Sequence, residues 1–207
     1  MVCGSLRFRA EVGDCGEQTV KIFLNIALFQ AGWFACVLGA ARGAPWLGPL
    51  VVLAAAALHL RVARRPLLEL YLLLSAAALG LLVDSLLLSS GWLEYPNGLW
   101  LAGFAPYWIV AMWMLFATTL NVSLAWLHGR LVLAALLGAV GGPLSYLAGE
   151  KLGGIYLLQP VAALAALAIA WAIAMPTLMM LAARFDGMTS KRAPGFIQSD
   201  WRATGDA

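Results

Sequence analysis

The chain has 207 residues, 63% of them apolar and only 11% charged, with a mean hydropathy of +0.87. Water-soluble domains run at about 45–50% apolar and about 25% charged, so a soluble globule is excluded, as are a disordered chain, a collagen-like repeat and a disulfide scaffold. The class that remains is an integral membrane protein; the formal net charge of +3 and the lack of a basic stripe with interleaved aromatics argue against nucleic acid as a partner.

The N-terminal segment carries Arg7, Arg9, Glu11, Asp14, Glu17 and Lys21 ahead of any apolar run. This is not the pattern of a cleaved signal peptide, so the first apolar segment is expected to stay in the membrane. A bilayer core about 30 Å thick takes roughly 20 apolar residues of helix. By that measure six spans are expected, over Ile22–Ala41, Trp46–Leu60, Leu67–Ser89, Pro106–Leu127, Leu131–Gly149 and Tyr156–Ala183. The second is the shortest; with only Arg42–Pro45 before it, it could form one long broken hairpin with the first instead of spanning. The stretch Gly91–Ala105 is too polar and turn-rich to span, and reads as an interfacial or re-entrant loop anchored by Trp92, Tyr95 and Trp100.

With six spans both termini lie on one side. That side holds Arg7, Arg9, Lys21, Arg61, Arg64, Arg65, Arg130, Arg184, Lys191, Arg192 and Arg202, against Arg42 and Lys151 on the other. Basic loops are retained in the cytoplasm. The expected architecture is therefore an all-α polytopic helix bundle with cytoplasmic termini. It comprises a cytoplasmic extension (1–20), a six-span domain (21–185) and a polar cytoplasmic tail (186–207), and is placed in a bacterial inner membrane.

A charged side chain at the bilayer centre costs about 2.5–3.5 kcal/mol on insertion scales, so polar residues within spans mark candidate sites. Asp84, in the outer third of the third span, is the strongest, either as a proton or cation site or a general base beside a substrate, or as a carboxylate bonded to a neighbouring helix or reached by interfacial water. Glu69 lies one turn after Arg65, which suggests an i, i+4 ion pair. His59 and His128 both fall near the inner surface, but without a spaced thiol or carboxylate they make a weak metal signature. Cys3, Cys15 and Cys36 form no framework, and Cys36 is expected to pack as a small hydrophobe. No metal site and no cofactor are expected.

Asn25 and Gln30 on the first span, with Thr118, Thr119, Asn121 and Ser123 on the fourth, read first as helix-tying polar groups. In the fifth span, Gly138 and Gly142 have the spacing for close helix approach. Pro143 predicts a kink or break at Gly142, with Ser145, Tyr146 and Glu150 on the outward half. Such a break is either a substrate site or ordinary packing. Trp108 is expected in the outer aromatic belt; Trp113, deeper, is expected either to face lipid, the favoured reading, or to line a cavity.

Asn25 with Phe29-Gln30-Ala31-Gly32-Trp33-Phe34, Asp84, Trp108, Trp113-Met114-Leu115-Phe116 and Gly141-Gly142-Pro143-Leu144-Ser145-Tyr146 together resemble a family of small bacterial inner-membrane proteins defined by a domain of unknown function. The resemblance covers roughly residues 20–185. It implies multi-pass topology, no established activity or cofactor, and an association with lipid-modifying enzymes encoded nearby. The leading expectation is a protein that assists or performs lipid-related membrane metabolism, with membrane lipids as partners. It would use Asp84, Tyr146 and Glu150 near the outer leaflet, or the Asn25/Asn121 layer near the inner one. The alternatives are a small secondary transporter or channel, and a non-catalytic scaffold that contacts other membrane enzymes or itself through GxxxG faces.

Overall fold

The computed structural model describes the backbone of residues 3–189 and the side chains of residue 16 and residues 18–189. Cys3, Cys15, Arg7, Arg9 and most of the C-terminal tail, including Lys191, Arg192 and Arg202, lie outside the described side chains. Six α-helices follow one another along the described chain: α1 (Cys3–Ala41), α2 (Leu47–Val62), α3 (Pro66–Ser89), α4 (Tyr107–Leu120), α5 (Leu131–Lys151) and α6 (Pro160–Arg184). Within four of them, Gln18–Ala41, Pro66–Ser89, Leu131–Lys151 and Pro160–Arg184, the chain is long and apolar enough to cross a membrane. The 16 residues of α2 and 14 residues of α4 reach only about 24 and 21 Å at 1.5 Å per residue.

The chain is all-helical, as expected, but three boundaries differ from the hydropathy reading. The fourth apolar run does not continue as helix to Leu127. Thr118 and Thr119 turn their hydroxyls back onto the carbonyls of Leu115 and Phe116, and after Asn121 the chain passes through turns and a single 3-10 turn (Ala125–Leu127). The sixth helix starts at Pro160 rather than Tyr156. Tyr156–Leu157 (β2) pairs antiparallel with Leu93–Glu94 (β1), two short segments that no hydropathy signal separates from their neighbours. The break expected at Gly142–Pro143 is also corrected, because α5 runs uninterrupted from Leu131 to Lys151 with Pro143 inside it. A proline removes a single donor, and the turns on either side hold the helix.

Two ends emerge. At the basic end lie Arg61, Arg64, Arg65, Arg130 and Arg184. At the other, the loop 91–105 folds into a cap. The Asn97 amide donates to the Ala40 carbonyl (2.9 Å), the Trp108 indole to the Asn97 carbonyl (3.0 Å), and the Ala105 N–H to Ser85 Oγ (2.9 Å). Trp108 is fully buried beneath this cap and is not a belt residue, and buried Tyr95 is likewise no interfacial anchor.

Close backbone approach sets the packing. At Gly48 an added Cβ would lie 2.5 Å from Cys36 Cα, which fixes the α1–α2 crossing and buries Cys36 as a small apolar group. At Gly138 and Gly142 the intruded atoms belong to Trp171, each at 2.3 Å, so the GxxxG face of α5 is filled by α6 of the same chain. At Gly80 an added Cβ would meet the Trp113 ring at 2.1 Å, whereas Gly141 has nothing within 4 Å. Gly80→Val and Gly142→Val are expected to destabilise the detergent-solubilised protein by about 1–3 kcal/mol through overpacking. Gly141→Ala should leave it unchanged or raise stability by about 0.5–1 kcal/mol; thermal unfolding of the three variants checks both.

Candidate functional site

Asp84 occupies a central position. It is the nineteenth residue of α3, five before the end of the helix, and has no solvent exposure. Three donors from three other segments converge on its carboxyl group. Tyr95 in the cap donates to Oδ1 at 2.7 Å, Tyr146 on α5 also donates to Oδ1, and the Trp113 indole on α4 donates to Oδ2 at 2.7 Å. No cation approaches it among the described residues. The carboxyl bonded across helices, one of the readings of Asp84, is present here. Hydrogen bonds to a charged group contribute about 1.5–3 kcal/mol each, and three of them offset a burial cost of several kcal/mol.

Two of these donors line a cleft. Trp113 and Tyr146 form part of the wall of a cavity of about 790 Å³ between α1 and α5, floored by α4 and closed behind by α6. From α1 it is lined by Phe29, Gln30, Trp33, Phe34 and Val37; from α4 by Ile109, Met112 and Phe116; from α6 by Trp171 and Met175. Trp113 and Trp171 stack at 4.6 Å, and Phe116 meets Trp171 edge-on at 5.5 Å. The Trp33 indole reaches across the cleft to Ser145 Oγ at 3.1 Å. The volume falls within the 300–1,000 Å³ range of small-molecule sites (about that span in surveys). Trp113 does not face lipid: it is 3% exposed, packed between Asp84 and the cleft.

The polar residues singled out in the sequence divide between three places. Asp84 and Tyr146 come together; Ser145 and Gln30 line the cleft beside them. Glu150, half-buried near the end of α5, is not among the partners of Asp84 and does not line the cleft. Gly142 faces the cleft and the Trp171 ring. Asn25 ties α1 to α4, donating to the Thr118 carbonyl (3.0 Å) and accepting from Ser123 (2.8 Å). Asn121 belongs to a different cluster, at the basic end.

That cluster centres on Glu69, which is fully buried and not paired with Arg65. Its Oε2 lies 2.8 Å from His59 Nε2, and its Oε1 accepts from the Asn121 amide and the Gly187 N–H, both at 2.8 Å. The i, i+4 expectation fails because Arg65 caps the helix outside it, and the Glu69 side chain turns inward to partners that lie 10, 52 and 118 residues away. His59 is thus held by Glu69, and among the described residues no three metal-binding side chains come together. The cluster ties the segment after α6 to the start of α3, with the Arg65 N–H donating to the Gly187 carbonyl at 3.0 Å.

The donors that Asp84 uses were not legible one by one: Trp113 sits in an apolar run where any aromatic could face lipid, and Tyr95 in a turn-rich loop where it reads as an interfacial anchor. A family model described as a protein of unknown function (DUF2878) matches residues 22–177, within the span of the resemblance seen in the sequence. The chain belongs to the DUF2878 family. The matched region takes in Asp84, Tyr95, Trp113 and Tyr146, and so the whole carboxyl cluster of this DUF2878 chain. No curated protein and no solved structure matches the chain.

Asp84→Asn replaces one acceptor with a donor facing donors. It is expected to destabilise the protein by about 1–3 kcal/mol or more, with Tyr146→Phe, which removes one hydrogen bond and leaves the carboxyl two, costing less; thermal unfolding in detergent checks the order. Beyond the last helix, burial alone would push the Asp186 carboxyl up. The Thr189 hydroxyl and the N–H groups of Thr189 and Met188 outweigh it and hold the group below the ordinary carboxylate range. A depressed carboxyl contributes stability above its unfolded value, near about 3.9, and loses it as pH falls through the folded value. Amide exchange at Met188 and Thr189, corrected for intrinsic rate, should therefore accelerate as the pH is lowered below about 4, and Asp186→Asn should weaken that dependence.

Proposed function

We propose that this protein is a six-span membrane protein of a bacterial inner membrane, with both termini in the cytoplasm, whose cleft takes up a lipid in the service of lipid-related membrane metabolism. The observation that carries the reading is the cleft itself. It is an apolar, aromatic-walled cavity between two helices, α1 and α5, both with long apolar stretches and wide apolar outer faces. A ligand dissolved in hydrocarbon enters such a site sideways, without crossing water. The buried carboxyl cluster supports the wall rather than lining the path: Asp84 holds Tyr146 and Trp113 in place from behind. The basic end gathers Arg61, Arg64, Arg65, Arg130 and Arg184, and its charge favours a cytoplasmic face.

Gly141 lines the cleft with nothing within 4 Å of an added Cβ. Gly141→Trp should therefore fill the cavity without disturbing the helix packing. Native mass spectrometry of protein extracted from membranes in mild detergent should show co-purifying lipid on the unaltered chain and its loss in Gly141→Trp at an unchanged thermal midpoint. Equal lipid retention by both would contradict the reading. In cells, removing the protein should change the lipid profile, and only the unaltered chain should restore it.

A further inference from the structure

We infer that the cleft is built for a lipid whose head is a flat, uncharged ring bearing carbonyl acceptors, the chemistry of a prenylated quinone. This rests on the cleft being a lipid site and names the class of lipid.

Three observations converge on it. The first is charge. No Lys, Arg, His, Asp or Glu side chain lines the cleft among the described residues. A phosphate, carboxylate or ammonium head would sit there without a partner, at the cost of an unpaired charge in an apolar site. A head seated within this lining is best matched when neutral; the nearby Arg130 guanidinium lies outside the lining, 6.0 Å from the Trp126 ring.

The second is the placement of polar groups. Gln30 and Trp33 lie one turn apart on α1, and Ser145 faces them from α5. The Trp33 indole occupies an acceptor position on Ser145 Oγ at 3.1 Å, which leaves the Ser145 O–H to donate elsewhere. Ser145 donates no hydrogen bond among the described residues, and the Gln30 amide makes none. The lining therefore holds spare donors on facing elements, the Gln30 amide on α1 and the Ser145 O–H on α5, and on α6 the buried Trp171 indole N–H, which has no partner among the described residues. A plain hydrocarbon chain leaves these donors unmatched, whereas a ring bearing more than one carbonyl oxygen offers them acceptors.

The third is the shape of the walls. Phe29, Trp33, Phe116, Trp126, Tyr146 and Trp171 all contribute rings to the lining. Aromatic faces and edges give a flat conjugated ring specific offset or edge contacts that a flexible alkyl chain does not exploit. Flat walls, unpartnered neutral donors and an apolar remainder for the tail together fit a ring-headed isoprenoid lipid better than a glycerolipid.

The test uses the full-length protein in detergent and two probes with the same tail, a decyl-substituted benzoquinone and decylcyclohexane. Binding is read as saturable quenching for the quinone, and as displacement of bound quinone for the alkane. The quinone should bind at least about tenfold more tightly than the alkane, the equivalent of one or two hydrogen bonds. Ser145→Ala and Gln30→Leu should each weaken quinone binding by about 3–10-fold while leaving the alkane's affinity in place, and Gln30→Leu, which breaks no hydrogen bond among the described residues, should also leave the thermal midpoint unchanged. Equal binding of the two probes, or quinone binding indifferent to both substitutions, would overturn the inference. If lipid still co-purifies and is lost in Gly141→Trp, that failure leaves the cleft as a lipid site of another class. If neither probe binds and no lipid co-purifies, the broader reading falls with it.

Discussion

A carboxyl group set among apolar helices has no water to turn to, and every partner it needs must come from the protein. Asp84 imposes that constraint on this fold. Its three donors come from the cap, from α4 and from α5, so one side chain on α3 fixes the relative positions of four segments. Two of those donors also face the cleft, which makes the shape of the cavity wall depend on a residue that does not line it. The small residues around the site follow from the same arrangement. Gly80 lets the Trp113 ring lie against α3, and Gly138 and Gly142 let Trp171 lie against α5 and stack on Trp113.

The cleft itself follows from uneven helix lengths and partners. The short helix α4 is the most enclosed, buried on most of its sides by α1, α2 and α3. Helices α5 and α6 pack chiefly on each other as a hairpin and meet the rest of the bundle through α3 and α4. Between α1 and α5 there is little direct packing along their length; the Trp33–Ser145 bond crosses the gap, and the Gly153–Ile155 turn closes it against α1. At the basic end, Glu69 plays a part like that of Asp84, drawing α2, the end of α4 and the segment after α6 together around α3.

Much of this architecture could be read from the amino acids, because the cost of exposing backbone to hydrocarbon forces helix wherever an apolar run is long. Helices α3 and α5 lie within two residues of their hydropathy boundaries. The importance of Asp84 was legible for the same reason, since few residues are so expensive in a span. Its partners were not. An aromatic ring in an apolar run or an interfacial loop looks the same whether it meets lipid or a carboxyl, so Trp108, Trp113 and Tyr95 read first as belt, lipid-facing and anchor residues although all three are buried. Glu69 misled in the opposite way. A basic residue one turn away offered a local partner, and only tertiary folding brought His59, Asn121 and Gly187 within reach.

The central claim is that a lipid occupies the space between α1 and α5, and photolabelling from within the bilayer tests it most directly. With a diazirine-bearing lipid incorporated into membranes containing the protein, the account predicts adducts concentrated on the cleft-facing residues of α1, α4 and α5, notably Phe29, Met112 and Tyr146. Exposed residues on the outer faces, such as Leu53 and Ile169, should be labelled less. Adducts spread evenly over the outer faces, with the cleft residues spared, would contradict it.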